Sequence, residues 1–319
     1  MTQRDEALMT SLAFVFPGQG SQSVGMLSAA YTAYSEVSET FEEASDALGF
    51  DLWALAQQGP AEAQSLTANT QPLILTASVA LFRAWRHAGG AMPSVVAGHS
   101  LGEFSALVAA GSLAFTDAVT LVRLRGQAMQ DAVPVGEGSM AAIIGLDDET
   151  INEVCAGLTK GDDRLVCAVN YNSPGQVVIA GHTEAVNDAT AALKTAGAKR
   201  ALPLPVSAPF HTPLMSSAGE ILAQALEGLS LEDPQVPVIS NVNAQAQQQS
   251  ASIRSLLVQQ IAAPVQWTAC VGTMRTMGAE RFVECGPGKV LSGLIRRIDK
   301  GVTCLSIESP DDLTAAVGA

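Results

Sequence analysis

The stretch VVAGHSLGEF, residues 95–104, places a serine between two glycines where a predicted strand meets a predicted helix. The apolar run before Gly98 is typical of a buried strand, and the apolar spacing after Gly102 predicts a helix that ends at Gly111. In such a turn the pattern G-x-S-x-G exposes the serine oxygen, and free N–H groups of the new helix can stabilise an oxyanion. We therefore predict that Ser100 is a nucleophile; a serine in an ordinary glycine-rich turn is the alternative.

A second glycine-containing loop follows the apolar run LAFVF, residues 12–16, which we interpret as the first strand. Glycines flank Gln19 on both sides and allow the backbone to come close to a ligand. A dinucleotide-binding loop would need a further glycine at the position of Ser23. An oxyanion hole takes its second donor from another loop, so we expect the N–H of Gln19 to face Ser100 across from the N–H of Leu101.

A nucleophilic serine needs a base, and His211 in SAPFHTPLM is the best placed of the four histidines. Pro209 and Pro213 flank it and would fix the loop that carries it. A purely structural histidine is the alternative at this position. The remaining three are interpreted as a neighbour that points away from the serine, a helix C-terminal cation and the start of a helix: His99, His87 and His182. No pair of histidines has metal-ligand spacing, so no metal site is predicted.

Composition limits the function classes. The chain has 319 residues, of which 48% are hydrophobic, and a formal net charge of −14. Such an acidic chain is a poor nucleic-acid binder, because phosphate contacts need a basic surface. No apolar run reaches the roughly 20 residues of a membrane-spanning helix. The five cysteines lack C-x-x-C spacing and no signal peptide is recognisable, so we expect reduced thiols and a cytoplasmic location, with neither nucleic acid nor membrane as partner.

Apolar runs typical of strands alternate with alanine-rich stretches typical of helices, which predicts an α/β fold with a mainly parallel sheet. The pattern changes from Val135, where three strand-like runs and two helical patterns follow in the order βαββα. That order is typical of a small split-βαβ sandwich, and KRALPLP is available as one more strand. We therefore predict a discontinuous catalytic domain, residues 1–135 and 205–319, interrupted by a small domain at 136–204.

At this point the motifs carry a resemblance to a known family. They follow one another as in the malonyl-CoA:acyl carrier protein transacylases of fatty acid synthesis: FVFPGQGSQSVGM, NTQP, GHSLGE, RLRGQAM, NYNSPGQVVIAG, FHTPLM, PVQWT and ECGPGKVLSGL. The similarity extends from about Leu12 to Ile307, nearly the whole chain. It implies an α/β-hydrolase-like large domain with a parallel sheet, interrupted by a small ferredoxin-like domain.

The resemblance also implies a role for each candidate residue. Ser100 matches the nucleophile, and His211 matches its general base and later general acid. Gln266 in PVQW matches the residue whose backbone carbonyl orients the histidine in place of a carboxylate. Gln19 and Leu101 match the two backbone donors of the oxyanion hole.

Two further residues would recognise the acyl group. Arg125 in RLRGQ matches the arginine that holds the free carboxylate of malonyl, and a guanidinium suits this because its fork makes two parallel hydrogen bonds. Arg123 would point about 200° away on a helix, so only one of the two arginines is expected to face the pocket. Phe210 matches a bulky residue of malonyl-specific members that would crowd an α-methyl group.

The implied reaction is a ping-pong acyl transfer through a malonyl-serine ester. Malonyl-CoA acylates Ser100, and the phosphopantetheine thiol of acyl carrier protein then accepts the malonyl group. No cofactor is implied beyond these substrates, and we expect a monomer. The sequence leaves open the tolerance for acetyl or methylmalonyl groups and the pathway of the carrier, fatty acid or polyketide. A basic cluster is either a solvated helix face or a dock for the acidic carrier: Lys289, Arg296, Arg297 and Lys300.

Two other functions compete with transfer. A serine esterase or thioesterase on the same scaffold would give the acyl group to water, and a non-catalytic subunit would only bind acyl carrier protein. Arg125 and the ordered motifs favour transfer over hydrolysis. The presence of Ser100, His211 and Arg125 together argues against a non-catalytic subunit.

Overall fold

Two β-sheets organise the part of the chain that the computed structural model describes, residues 11–161, 163–206 and 208–318. The strands are β1 (Ser11–Phe16), β2 (Val95–Gly98), β3 (Gly138–Ile144), β4 (Val166–Ser173), β5 (Gln176–His182), β6 (Arg200–Pro203), β7 (Val238–Ile239), β8 (Ala246–Gln247), β9 (Ala279–Glu284) and β10 (Thr303–Ser306). The helices are α1 (Ser28–Ala33), α2 (Ser35–Leu48), α3 (Leu52–Gln58), α4 (Ala61–Ser65), α5 (Thr67–His87), α6 (Gly102–Ala109), α7 (Phe115–Asp131), α8 (Asp148–Leu158), α9 (Thr183–Thr195), α10 (Ser216–Glu227), α11 (Ser250–Gln260), α12 (Trp267–Thr276), α13 (Val290–Ile298) and α14 (Pro310–Val317).

The large sheet has the strand order β10-β9-β1-β2-β7-β8, and its pairings are parallel except that of β7 with β8. Its central strands are continuous apolar runs because helices pack on both faces. In β1, Phe14 and Phe16 enter the core on one face, whereas Ala13 and Val15 enter the core on the other. All four side chains are fully buried.

The carboxyl edge of this sheet brings together the two loops that the sequence singled out. Phe16 of β1 lies opposite Gly98 of β2 in the parallel register, so the loops that follow both strands emerge side by side. Helix α6 then packs directly against the end of β1. A Cβ atom on Gly102 would lie 2.0 Å from the backbone oxygen of Phe16, so only glycine allows this close approach.

The small sheet is antiparallel, with the order β4-β5-β3-β6. With α8 and α9 it forms a βαββαβ unit, the ferredoxin-like arrangement, and the apolar core of this unit lies between the sheet and the two helices. The predicted fold class is thereby confirmed. All of these elements fall within the predicted interval 136–204, while the division into separate domains stays a prediction; residues 1–10 of the predicted large domain lie outside the described residues.

Candidate active site

Ser100 occupies a strained turn between β2 and α6. Its φ is +52°, a left-handed conformation that is uncommon for any residue other than glycine. Asn241, which follows β7, holds the turn from below: its Oδ1 accepts the Ser100 N–H at 2.6 Å, and its Nδ2 donates to the Gly98 carbonyl at 2.7 Å. Since strain of this kind persists only where neighbouring contacts enforce it, the turn has the form expected of a nucleophile elbow.

His211 faces Ser100 across the sheet edge, also with a positive φ, +65°. Its Nδ1 donates to the backbone carbonyl of Gln260 at 2.9 Å, because a carbonyl can only accept. The Nε2 atom is therefore the acceptor for the Ser100 hydroxyl, whose Oγ lies 2.7 Å away. Burial, with the positive charge of Arg125, lowers the pKa of His211 to about 3, so the imidazole is neutral at ordinary pH and can take the serine proton.

The prediction that the Gln266 carbonyl orients His211 is wrong. That carbonyl accepts the N–H of Cys270 at 2.8 Å, because Gln266 is the residue immediately before α12 and its oxygen belongs to the first turn of that helix. Gln260 ends α11, where the last carbonyls of a helix have no partner within the helix. Its oxygen is therefore free to orient the histidine, six residues earlier in the chain than predicted.

Arg125 on α7 is buried beside the nucleophile, with 2% of its surface exposed. Its Nη1 donates to Gln71 Oε1 at 2.9 Å, and its Nη2 donates to Gln260 Oε1 at 2.9 Å and to Ser100 Oγ at 3.3 Å. Burial lowers its pKa to about 10, with the negative charge of Glu103 opposing the shift, so the guanidinium remains charged at neutral pH.

Arg125 has five N–H groups, and the three hydrogen bonds above leave one on Nε and one on Nη1 without a partner among the described residues. Its buried Nε has no hydrogen-bond partner among the described residues, and Nε and Nη2 lie on the same side of the guanidinium group. Arg123, by contrast, is partly exposed and lies over the ring of Phe50, with its central carbon 4.7 Å from the ring centroid. As predicted from the helical spacing, only one of the two arginines faces the site.

A cavity of about 110 Å³ opens at this point, and its wall contains every candidate residue from the sequence except Gln266: Gln19, Ser100, Leu101, Arg125, Phe210 and His211. The backbone N–H groups of Gln19 and Leu101 make no hydrogen bond to any residue that the structure describes. Phe210 is 8% exposed and contributes an apolar wall. The arrangement combines a nucleophile, a neutral base, two free amide donors and a buried cation in a space suited to a small anionic acyl group.

Four polar residues of the site were not identified from the sequence: Gln71, Glu103, Asn241 and Gln260. The first two lie inside NTQP and GHSLGE, so a polar residue in an otherwise buried motif was the available signal. Asn241 and Gln260 had no comparable signal, since Asn241 follows a two-residue strand and Gln260 ends an ordinary helix.

His99 bonds Asn172 of β4, with 2.7 Å between Nε2 and Oδ1, and so links the small sheet to the site.

The described residues contain neither a metal site of the usual kind nor a membrane-spanning helix. No cluster of three or more histidine, cysteine, aspartate or glutamate side chains has the arrangement of a metal site. None of the helices is both long and apolar enough to span a bilayer.

Comparisons with known proteins agree on one family. A family model described as acyl transferase domain matches residues 13–303. The curated malonyl CoA-acyl carrier protein transacylase of Salmonella typhimurium (strain LT2) is 56% identical over 309 residues, which cover 97% of this chain and 99% of the relative. The solved structure of the same-named protein from Coxiella burnetii has a TM-score of 0.95 at 48% identity and covers 97% of each chain. A malonyl-transacylase solved in complex with a type II PKS acyl-carrier protein has a TM-score of 0.94 at 50% identity, covering 97% of this chain and 99% of that one.

Proposed function

The chain belongs to the acyl transferase domain family, and we propose that it transfers a malonyl group from malonyl-CoA to the phosphopantetheine thiol of acyl carrier protein. One observation carries the assignment. The guanidinium of Arg125 lies 3.3 Å from Ser100 Oγ, which itself lies 2.7 Å from His211 Nε2. A nucleophile and base serve any acyl transfer or hydrolysis, but a buried cation beside them selects an acyl group that carries its own carboxylate.

In the first half-reaction, His211 Nε2 accepts the proton of the Ser100 hydroxyl as Oγ attacks the thioester carbonyl of malonyl-CoA. The N–H groups of Gln19 and Leu101 receive the oxyanion, and the C–S bond then breaks. The proton on His211 passes to the departing CoA sulfur, which leaves as the thiol. The product is a malonyl ester on Ser100 with a neutral histidine.

In the second half-reaction, the phosphopantetheine thiol gives its proton to His211 and attacks the ester carbonyl. The same two amides stabilise the oxyanion, the C–O bond to Ser100 breaks, and His211 returns the proton to Oγ. Each proton is carried by His211, so the reaction needs no cofactor. A backbone carbonyl can orient this histidine in place of a carboxylate, because the substrate is a thioester, whose thiolate leaves more easily than the amine of an amide.

The bound carboxylate has a second effect on the base. The positive charge of Arg125 lowers the pKa of His211, as burial does to a greater degree. A malonyl carboxylate bound to Arg125 offsets that charge, so His211 becomes a stronger base when the correct substrate is in place. The Phe210 ring in the cavity wall supports discrimination against an α-methyl group, which is worth about 1–3 kcal/mol in an apolar pocket.

Other assignments belong to the same proposal. A malonyl-transacylase at 50% identity was solved with a carrier protein, which supports acyl carrier protein as partner. Fatty acid synthesis, a monomeric state and a cytoplasmic location stay predictions; five cysteines without disulfides support a reducing compartment.

The test is intact-protein mass after brief mixing with malonyl-CoA, with Ser100→Ala as the comparison. We expect the wild-type protein to gain one malonyl group and Ser100→Ala to gain none, and the label to move to carrier protein when this is added. Release of CoA without a mass gain would instead favour the hydrolase. No change in either quantity would contradict the substrate assignment.

A further inference from the structure

A second buried charged group lies next to the site and has no part in the steps above. Glu103, in the first turn of α6, is 2% exposed, and its Oε2 accepts hydrogen bonds from the Asn241 N–H at 3.0 Å and from Gln260 Nε2 at 2.8 Å. A carboxylate inside a protein costs several kcal/mol of desolvation unless it is paired. The cation that balances it is Arg125, and the Gln260 side chain bridges the two groups by hydrogen bonds.

The side-chain amide of Gln260 bridges Arg125 and Glu103, because its oxygen accepts hydrogen bonds and its nitrogen donates them. Oε1 accepts from Arg125 at 2.9 Å, while Nε2 donates to Glu103 at 2.8 Å and to the Ser100 carbonyl at 3.0 Å. A rotation of the amide by 180° would set an NH₂ group against the guanidinium and an oxygen against the carboxylate. Both contacts would then be repulsive, so the carboxylate and the guanidinium together hold the amide in one orientation.

The charge balance changes when substrate arrives. In the free protein, the positive charge of Arg125 is offset by the negative charge of Glu103. A malonyl carboxylate adds a second anion to the same cation. Two carboxylates that share one buried guanidinium disfavour each other's ionised form. Glu103 is the carboxylate that takes up the proton, since the free carboxylate of malonyl is the stronger acid of the two.

We propose that Glu103 is a positioning residue for the malonyl carboxylate: it holds the Gln260 amide against Arg125 and takes up a proton when that carboxylate binds. This rests on the proposed function, in which Arg125 receives malonyl. Burial raises the pKa of Glu103 to about 7, against the opposing effects of the Asn241 N–H, the Gln260 amide, the Arg125 charge and the Ser240 hydroxyl, so the group titrates near neutral pH.

The other titratable groups near Glu103 do not compete in this pH range. The pKa of Arg125 is about 10, and that of His211 is about 3. Burial and the Glu103 charge raise the pKa of the Cys270 thiol on α12 above its usual range. Burial lowers the pKa of His99, whose ring bonds Asn172, so this imidazole is neutral at pH values above the usual histidine pKa.

The sign of the linkage follows from these charges. Substrate raises the pKa of Glu103 above its value in the free protein, so the protonated protein binds malonyl-CoA more tightly. The Kd for malonyl-CoA is therefore lowest below pH 7 and rises above it, by up to about tenfold per pH unit. At pH 7.5, binding takes up as much as about three quarters of a proton, because a group with a pKa near 7 is mostly ionised there.

The experiment uses Ser100→Ala, which binds without turnover, and measures malonyl-CoA binding by calorimetry between pH 6 and 8.5 in buffers of different ionisation enthalpy. We expect proton uptake in this protein and none after Glu103→Gln is added, because the amide oxygen still accepts both hydrogen bonds but carries no charge. Glu284→Gln is the matched control: Glu284 is also fully buried, its oxygens accept the Leu291 and Ser292 N–H groups, and it lines no part of the cavity. Proton uptake on malonyl-CoA binding should persist when Glu284→Gln is added to Ser100→Ala.

Proton uptake that survives Glu103→Gln, or a Kd for Ser100→Ala that is independent of pH, overturns the proposal. The second result can be obtained even if no Glu103 variant folds.

The positioning role of Glu103 is tested separately, in protein that retains Ser100. Glu103→Ala should lower the acylation rate and Glu103→Gln should restore it, since only the amide keeps an acceptor for Gln260. Failure of malonyl-CoA to bind at all would instead contradict the proposed function.

Discussion

The carboxyl edge of the large sheet contains strained and charged residues, whereas the core of the small antiparallel sheet is apolar. At the carboxyl edge, Ser100 and His211 both have positive φ, and the charged groups of Glu103 and Arg125 are buried beside them. The core of the small sheet consists of apolar side chains such as Ile179, which is 0% exposed. Strain and buried charge reduce stability, so they persist where the surroundings enforce them and identify the region that was shaped for chemistry.

The two regions nevertheless meet at the cavity. Met140 of β3 forms part of its wall, and Asn172 of β4 bonds His99 next to the nucleophile. The small sheet thus closes the site without supplying a reacting group. If this division is correct, paired substitutions in the two regions should separate effects on the reaction from effects on stability.

The largest difference is expected for histidine. His211→Ala removes the base and should lower the rate of serine acylation by about 10²- to 10⁴-fold. His182→Ala is its counterpart in the small sheet, where the ring accepts the Leu165 N–H at 2.9 Å and does not line the active-site cavity, and it should leave the rate unchanged. Acylation is followed by intact mass at short times. Equal losses in both variants would remove the distinction between the regions.

Arginine should give the next largest difference, and a selective one. Arg125→Ala should lower kcat/KM for malonyl-CoA by about 30- to 5,000-fold, since truncating one partner of a buried charge pair costs roughly 2–5 kcal/mol. Acylation by acetyl-CoA, which has no carboxylate, should not fall. The counterpart is Arg164→Ala, which breaks an ion pair with Asp188 beside the small sheet and should change neither substrate. Equal losses with acetyl-CoA and malonyl-CoA would mean that Arg125 has only a structural role.

A core substitution should reverse the pattern. Ile179→Ala in β5 should lower the free energy of unfolding by roughly 2–5 kcal/mol, because it leaves a cavity in a well-packed core. The acylation rate per folded molecule should stay the same, since Ile179 faces the helices α8 and α9 and not the active-site cavity. Denaturant unfolding and a titration of acylated protein measure the two quantities. A slower rate in fully folded Ile179→Ala would show that the small sheet does more than close the site.

The smallest effect concerns the exposed basic cluster that flanks α13, of which Arg296 and Arg297 lie in the last turn of the helix. The double variant Arg296→Glu and Arg297→Glu should slow transfer to acidic carrier protein at low salt and leave acylation by malonyl-CoA unchanged, because rim charges act mainly on association. The difference should shrink as ionic strength rises. Lys160→Glu with Lys194→Glu, both exposed beside the small sheet, changes the net charge equally and should have no effect. Unchanged transfer in the first pair would exclude the cluster as the dock.

Most of the site could be predicted from the sequence because its elements are local. The turn that carries Ser100 follows from two glycines between a strand and a helix. Helical geometry predicts that only one of Arg123 and Arg125 faces the site, and the family resemblance indicates that it is Arg125. The small sheet could be placed within 136–204 because alternation and turn residues mark each strand. The Gln266 prediction failed because a carbonyl near the histidine cannot be identified without knowing where α11 ends and where α12 begins.

The sequence by itself determined the α/β fold class, the strand–turn–helix that carries Ser100, the glycine-flanked loop of Gln19 and the family. These depend on short-range backbone preferences and on the order of motifs along one chain. Only the tertiary structure decided which groups support them. His211 meets the Gln260 carbonyl across 49 residues, and the Gln260 amide meets Glu103 across 157. Contacts over such separations are set by how helices pack on the sheet, which no local pattern encodes, and they determine the charge and proton balance of the site.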